Sequence, residues 1–469
     1  MIRTKIIATI GPATAEQKTL AKLIRAGCDV FRVNFSHGSA EGRQELLNAI
    51  RSAECDAGEP VAVLADLCGP KIRVGPIAGG SVLLGEGQEI CIHSEPILGG
   101  AGGFSTTLVE LPRCLTPGEP ILLDDGKIRL RAGQATSDGV ICTVVTGGVL
   151  SDGKGVNLPE TDLPLSALTE KDRRDAEWIA QRDFDYVALS FVRSAGDIEE
   201  LRALLGENDC RLPIIAKIEK PQAMQQIDSI LDAADGVMVA RGDLGVEMDL
   251  PAVPVAQKRI AALAQQKAKP CIIATQMLET MTHQPTPTRA EVSDVANAVL
   301  DHADAVMLSG ETAVGEYPVQ TVELMNRIVS AMQDYQDEKN PPLPPPAPTA
   351  ATTAAIARAV HEVLATEPIA AVAVYTATGT TARFLSKTRV PLPILALSPD
   401  PAVVRRASLY YGVQAFVAGV PEHTTDVLET AAAKAVELKL AKPGQKLVVI
   451  SGRPLGRPGR TNTLVVHEV

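Results

Sequence analysis

Ile214-Ile215-Ala216-Lys217-Ile218-Glu219 is the stretch on which the fold turns. It is strand length, rich in β-branched side chains and apolar almost to its end, which reads as a strand buried on both faces. Lys217 and Glu219 stand two apart, so both point to one face of it. Two charges on a buried strand require either mutual pairing or a function. Seven other runs share the pattern: Lys5–Ile10, Val30–Asn34, Val61–Asp66, Tyr186–Phe191, Gly236–Arg241, Cys271–Thr275 and Ala305–Ser309. Amphipathic stretches such as Thr14–Arg25, Ser39–Glu54, Thr169–Gln181 and Val253–Gln266 lie between most of them. Alternation counted to eight predicts a (β/α)8 TIM barrel, with a doubly wound open sheet as the alternative.

The runs also share a polarity gradient. Their ends carry Thr9, then Arg32, Asn34 and Ser36, then Asp66, Ser190, Lys217 with Glu219, Arg241 with Asp243, Thr275, and Ser309 with Glu311. In a barrel these ends converge on one rim, where active sites sit.

Two segments do not fit the barrel. Residues 70–165 are rich in glycine and short β-type runs, and predict a small inserted β-barrel acting as a lid on the barrel of residues 1–69 and 166–340. Residues 341–469 open on a proline-rich linker at 341–348 and continue as alternating strands and helices, a separate α/β domain. Three domains suit a chain of 469 residues.

Composition narrows the partners. The net charge of −11 argues against a nucleic-acid partner. Aromatic residues are only 3%, so the core must be built from Ala, Val, Ile and Leu. The eight cysteines form no C-x-x-C pair and read as reduced thiols of a cytoplasmic protein. No 18-residue apolar stretch or secretory segment is read, so no membrane is expected.

Several strand-end residues can do chemistry. Glu219 and Asp243, on neighbouring strands, offer the two carboxylates that suit Mg²⁺ or Mn²⁺. Gly242 and Gly245 predict a tight turn whose backbone N–H groups cradle an anion. Arg32 and Arg73 are candidate phosphate ligands. His37 is either catalytic or a turn residue, and Lys217 with Glu219 is either functional or an internal salt bridge.

The strings Phe31-Arg32-Val33-Asn34-Phe35-Ser36-His37-Gly38, Ala216-Lys217-Ile218-Glu219-Lys220, Met238–Gly245, Ala274-Thr275-Gln276-Met277-Leu278-Glu279 and Pro287–Glu311 resemble the pyruvate kinase family. Leu122–Gly126 and Gly155–Pro159 extend the resemblance through the insertion. It implies phosphoryl transfer from phosphoenolpyruvate to ADP, regulation through the C-terminal domain, and a homotetramer. It implies that Lys217, Arg32 and Thr275 are catalytic. Phosphoenolpyruvate would meet Arg32, Gly242, Asp243, Thr275 and Ser190, and the metal Glu219 and Asp243. The nucleotide would meet Thr9, Asn34, His37, Arg73 and Lys154.

One departure stands out. The family's K⁺ region matches at Asn34, Ser36 and Asp66, but a Thr position holds Leu67 and a Glu position holds Lys71. The Lys71 ammonium is expected beside those oxygens in place of K⁺, making K⁺ dispensable. In the C-terminal domain Thr376, Thr378, Gly379, Thr380 and Thr381 follow a strand and offer hydroxyls and amides to a sugar-phosphate or nucleotide effector, and a late loop carries Arg453, Arg457 and Arg460. A metal-dependent lyase barrel and a catalytically idle sugar-phosphate sensor are the competing readings. Neither accounts for both the lid lysine and the intact strand-end charges.

Overall fold

In the computed structural model, which describes residues 3–161, 163, 165–339, 351–454 and 461–469, the eight runs are eight strands. They are β1 (Lys5–Thr9), β2 (Val30–Asn34), β3 (Ala62–Asp66), β4 (Tyr186–Leu189), β5 (Ile214–Ile218), β6 (Gly236–Ala240), β7 (Cys271–Ala274) and β8 (Ala305–Leu308). They pair in parallel and close into one ring, which rules out the open sheet. Alternate residues take opposite sides. Ile7, Val30, Leu64, Ile215 and Met238 fill the interior, while Ile6, Phe31, Val63, Ile214 and Val237 pack under the outer helices.

Several strands stop a residue or two before the apolar run does, because the backbone turns where the polar ends begin. Phe191 and Thr275, both past a strand end, have φ of 55° and 71°, which no strand accommodates. The first helix starts at Gln17, not Thr14. The Thr14 hydroxyl accepts from Gly11 N–H and donates to the Thr312 carbonyl, tying the chain down before the helix begins.

The lower rim has a regularity that the sequence reading did not find. Asp29, Asp185, Asp235 and Asp304 each stand immediately before an even-numbered strand. Each carboxylate accepts a backbone N–H from the start of the preceding odd strand: Ile6 at 2.9 Å, Val63 at 2.9 Å, Ile214 at 3.0 Å and Cys271 at 2.7 Å. Each Asp N–H returns a bond to the same residue's carbonyl. Four such clasps register the barrel in pairs of strands.

The insertion lies between β3 and β4 and is all β apart from short helical turns. Its strands form a six-stranded sheet and a separate antiparallel ribbon, Ser81–Leu84 with Gly148–Ser151, not the single closed barrel expected. Gly147 is the break: a Cβ there would meet the Leu84 carbonyl oxygen at 2.5 Å. Sheet and ribbon still share one core through Leu84, Leu150, Ile90 and Val144.

The C-terminal sheet runs in the order Val413–Val417, Ile394–Ser398, Ile369–Tyr375, Lys446–Ser451, Thr463–Glu468, with only the last strand antiparallel. It docks beneath the barrel, and its apolar core continues into the barrel interior. Arg405 reaches Asp185, and Lys387 and Arg389 both reach Asp304, so two of the four clasps carry cations from this domain. The linker at 341–348, Arg457 and Arg460 lie outside the described residues. No described helix is long and apolar enough to cross a membrane.

Candidate active site

The upper rim gathers the strand-end residues. Lys217, on β5, holds three partners: Ser190 Oγ at 2.6 Å, Glu219 Oε1 at 2.9 Å and Asp66 Oδ1 at 3.2 Å. Burial alone would lower the Lys217 pKa, but the Asp66 and Glu219 carboxylates outweigh it and raise it, so the ammonium stays charged. Arg32, from β2, bonds Asp66 Oδ2 through Nε at 2.6 Å and Thr9 Oγ1 at 3.0 Å. Burial pushes the Asp66 carboxyl up, yet Lys217 and Arg32 bring it below the usual carboxylate range. Asp66 Oδ1 is buried with no aligned hydrogen bond, meeting Lys217 only as a charge contact.

Two carboxylates face one another near this cluster. Burial raises the Glu219 carboxyl, Lys217 partly offsets that, and the negative charge of Asp243 adds to it. Glu219 Oε2 also accepts Phe191 N–H at 2.8 Å. Asp243 is only partly covered, with Lys71 at 3.5 Å. A buried and an open carboxylate, close enough to repel, fit Mg²⁺, which takes few protein oxygens and keeps room for substrate and water. Among the described residues no cluster of three or more His, Cys, Asp or Glu side chains forms a fuller cage.

Two expectations are corrected here. Gly242 and Gly245 do not make a tight turn: residues Arg241–Glu247 form a short helix straight off β6. Arg241 anchors it, donating to the Thr275 carbonyl and to Asp294, both at 2.7 Å. The Gly242 N–H, free for an anion in the sequence reading, donates to Thr275 Oγ1 at 2.7 Å. Lys71 does not sit among Asn34, Ser36 and Asp66. Asp66 already has two cations, whereas Asp243 has none nearer, so Lys71 turns towards Asp243. Gly69, with φ of 70°, makes that path possible, since a Cβ there would strike the Phe191 ring at 2.6 Å.

The remaining residues spread around the rim. Asn34 Oδ1 accepts Ser36 N–H at 3.1 Å, and Leu67 is a buried hydrocarbon whose carbonyl accepts from Ser190. His37 is exposed, and its carbonyl accepts from Arg43. Arg73 and Lys154 are neighbours on the insertion. Arg73 donates to the Gly153 carbonyl at 2.8 Å, and Lys154 pairs with Asp124 at 2.8 Å instead of reaching the barrel. A groove of about 650 Å³ opens beside Asp243, walled also by Lys71, Gly242, Gln276 and the insertion's Asp125. Lys217, Glu219 and Arg32 are not in its wall.

Sequence reasoning missed the backbone strain. Thr275 and Gln276 are consecutive left-handed residues, with φ of 71° and 54°. For a β-branched threonine this conformation is costly, and such strain concentrates at functional sites. It named Glu311 only as a strand-end polar residue and missed its role: fully buried, Glu311 accepts Leu278 and Ser309 N–H groups and fixes the loops after β7 and β8. In the C-terminal domain Thr376 Oγ1 accepts Gly379 N–H at 3.0 Å, Thr378 and Thr380 hydroxyls meet at 3.0 Å, and Thr381 meets Thr461 at 2.6 Å.

Comparison with known proteins bears on the whole chain. The family described as "Pyruvate kinase, barrel domain" matches residues 1–322, and "Pyruvate kinase, alpha/beta domain" matches residues 354–467. A pyruvate kinase of Mycobacterium tuberculosis is 40% identical over 467 residues, covering 100% of this chain and 98% of that one. One from Agrobacterium vitis is 44% identical over 477 residues, covering 100% and 97%. The crystal structure of a pyruvate kinase from Cryptosporidium parvum superposes with a TM-score of 0.91 at 33% identity, covering 100% of this chain and 96% of that one.

Proposed function

The chain belongs to the pyruvate kinase family, and on that footing we infer that it transfers the phosphoryl group of phosphoenolpyruvate to ADP, giving pyruvate and ATP. The observation that carries the reading is the Lys217–Glu219–Asp66–Arg32 cluster: two cations and two carboxylates held at the upper rim beside the open carboxylate of Asp243. Phosphoryl transfer needs little covalent help from a protein and a great deal of positioning and charge stabilisation.

A β-phosphate oxygen of ADP attacks the phosphorus, the bond from phosphorus to the enol oxygen breaks, and its electron pair stays on that oxygen. Lys217 stabilises the charge on the moving phosphoryl group and on the enolate. Arg32, braced by Asp66 and Thr9, holds the phosphate. The substrate carboxylate takes the N–H of Asp243, with Ser190 alongside, and the Gly242 N–H joins it only when the Thr275 hydroxyl turns away. Thr275, through water, stands where the enolate carbon gains its proton. Pyruvate kinases use Mg²⁺; held by Glu219 and Asp243, it would neutralise the phosphoryl and carboxylate oxygens. Arg73 and Lys154 on the lid, with Thr9, Asn34 and His37 on the barrel, take the nucleotide, and lid closure excludes water. The direct test follows phosphorus: ³¹P NMR of phosphoenolpyruvate with ADP should show the lost phosphoryl group as the γ-phosphate of ATP. Its appearance as free phosphate would overturn the assignment.

Activity is independent of K⁺, as in the Lys-bearing branch of the family. Leu67 offers no side-chain hydroxyl where a threonine would, Arg32 and Lys217 already pair both oxygens of Asp66, and Lys71 adds a third positive charge nearby at Asp243. Turnover should persist with tetramethylammonium as the only monovalent cation; a large loss of rate sinks the idea.

The division into barrel (1–69 and 166–340), lid (70–165) and regulatory domain (341–469) frames the regulation. The loop Thr376–Thr381 takes the phosphate of a sugar-phosphate or nucleotide effector, supported by its clustered hydroxyls and by Arg453 nearby in sequence to Thr461. Replacing Thr378 and Thr381 together by Ala should abolish activation by such phosphates, and unchanged activation would reject the site. The working form is a cytoplasmic homotetramer, testable by sedimentation.

A further inference from the structure

Glu247 ends the short helix Arg241–Glu247, whose first turn carries Gly242 and Asp243. Its carboxylate is buried, yet it belongs to none of the groups assigned above. Glu247 Oε1 accepts from Lys220 Nζ at 2.6 Å and from Asn157 Nδ2 at 2.8 Å. Lys220 directly follows Glu219 at the end of β5. Asn157 belongs to the lid, on a two-residue strand, Val156–Asn157, that pairs with Leu122 and Leu123 and so leads to the lid loop of Asp124 and Asp125. One oxygen therefore joins three parts: the helix bearing one metal carboxylate, the strand end bearing the other, and the lid.

Two further observations set this contact apart from ordinary packing. Glu247 Oε2 is buried without a hydrogen-bond partner. Beside it lies a cavity of about 50 Å³, walled also by Lys71, Phe191, Arg193, Lys220 and Asn157. The wall is mostly apolar, but a cavity of that size with Lys220, Asn157 and Glu247 at one place in it has room for an ordered water. Across it, Arg193 donates to the carbonyls of Leu163 and Leu165, where the chain returns from the lid to the barrel. The lid is thus tied to the barrel twice, by Arg193 and by Glu247, with the cavity between the two ties.

We propose that Glu247 is the joint of the lid: a positioning residue that couples the lid, through Asn157, to the helix and strand end that carry Asp243 and Glu219. Lid rotation then cannot occur without a change at this carboxylate, and the lid that brings Lys154 to the nucleotide is held in register with the metal carboxylates. The inference rests on the phosphoryl-transfer reading for its kinetic consequence, but the joint itself can be tested without turnover.

The variant Asn157→Ala removes the lid's half of the joint and leaves the Lys220–Glu247 pair intact. Nitroxides carried by non-natural amino acids at exposed Leu83 on the lid and exposed Glu45 on the barrel report the lid position by double electron–electron resonance in the full chain with Mg-ADP. The joint predicts a narrow distance distribution in the parent that broadens in Asn157→Ala. It also predicts a KM for ADP raised about tenfold, with KM for phosphoenolpyruvate within twofold. Asn157→Asp, which sets a second carboxylate against Glu247, should open the lid further, and Asn157→Ser should restore part of the contact. An unchanged distance distribution in all three variants overturns the joint. A broadened distribution with both KM values unchanged overturns its positioning role. A parent protein without kinase activity would remove the functional reading while leaving the distance test standing.

Discussion

The two rims of the barrel use the same chemistry to opposite ends. Both carry acidic residues at regular places and both answer them with cations. At the lower rim each of Asp29, Asp185, Asp235 and Asp304 gives an oxygen to a backbone N–H of a neighbouring strand. At the upper rim Asp66 Oδ1 lacks an aligned hydrogen bond and Asp243 has only a distant lysine. The backbone there is strained at Phe191, Thr275 and Gln276. The four lower-rim carboxylates are satisfied by backbone N–H groups and hold the ring together; the upper-rim carboxylates are left short of partners, which the proposed substrate and metal would supply. Left-handed residues occur at the lower rim too, at Ala268, His302 and Arg389, so it is the state of the carboxylates that separates the two ends.

The largest effect expected of a single change is at the upper rim. Lys217→Met should lower kcat by about 10³-fold or more, because the group facing the developing charge is gone. At the lower rim, Asp304→Asn leaves Lys387 and Arg389 without their counter-charge in a buried place. That should cost roughly 3–5 kcal/mol, seen as a lower Tm, with kcat of the folded enzyme within threefold. An Asp304→Asn enzyme that kept its Tm and lost turnover would break the contrast between the rims.

The smallest effect sharpens it. His302, beside the Asp304 clasp, has its pKa lowered to about 4 by burial and by the nearby Arg389 cation. It is neutral in the folded chain, while the unfolded chain takes up the proton at about pH 6.5. Its contribution is therefore complete above pH 6.5 and lost as pH falls towards 4, on the order of 2–3 kcal/mol. His302→Gln should flatten the pH dependence of Tm across that window. An identical slope in the variant would remove His302 from the account.

The upper rim was legible in the sequence because a parallel barrel buries strands on both faces, so a charge at a strand end stands out against an apolar run. Lys217, Glu219 and Arg32 are visible for that reason. The lower rim was equally present, in Asp29-Val30, Asp185-Tyr186, Asp235-Gly236 and Asp304-Ala305. A lone Asp before a strand, however, reads as loop polarity, and its bond to a backbone N–H elsewhere in the chain has no local signature. Lys387 and Arg389 drew no reading at all, because nothing local marks a lysine or arginine near a helix end for burial; their pairing with Asp304 comes from the docking of the C-terminal domain. The partner of Lys71 was misread because two oxygen clusters lie near one another and the choice depends on which is already neutralised. The left-handed Thr275 had no signal, since β-branched residues argue against such a conformation.

The central claim is that the upper-rim cluster moves a phosphoryl group from phosphoenolpyruvate to ADP. Pyruvate release from phosphoenolpyruvate, followed with and without ADP in the parent chain and in Lys217→Met, tests it most directly. The account predicts release that requires ADP and falls by about 10³-fold or more in the variant. Release that ignores ADP, or that survives the loss of Lys217, would contradict it.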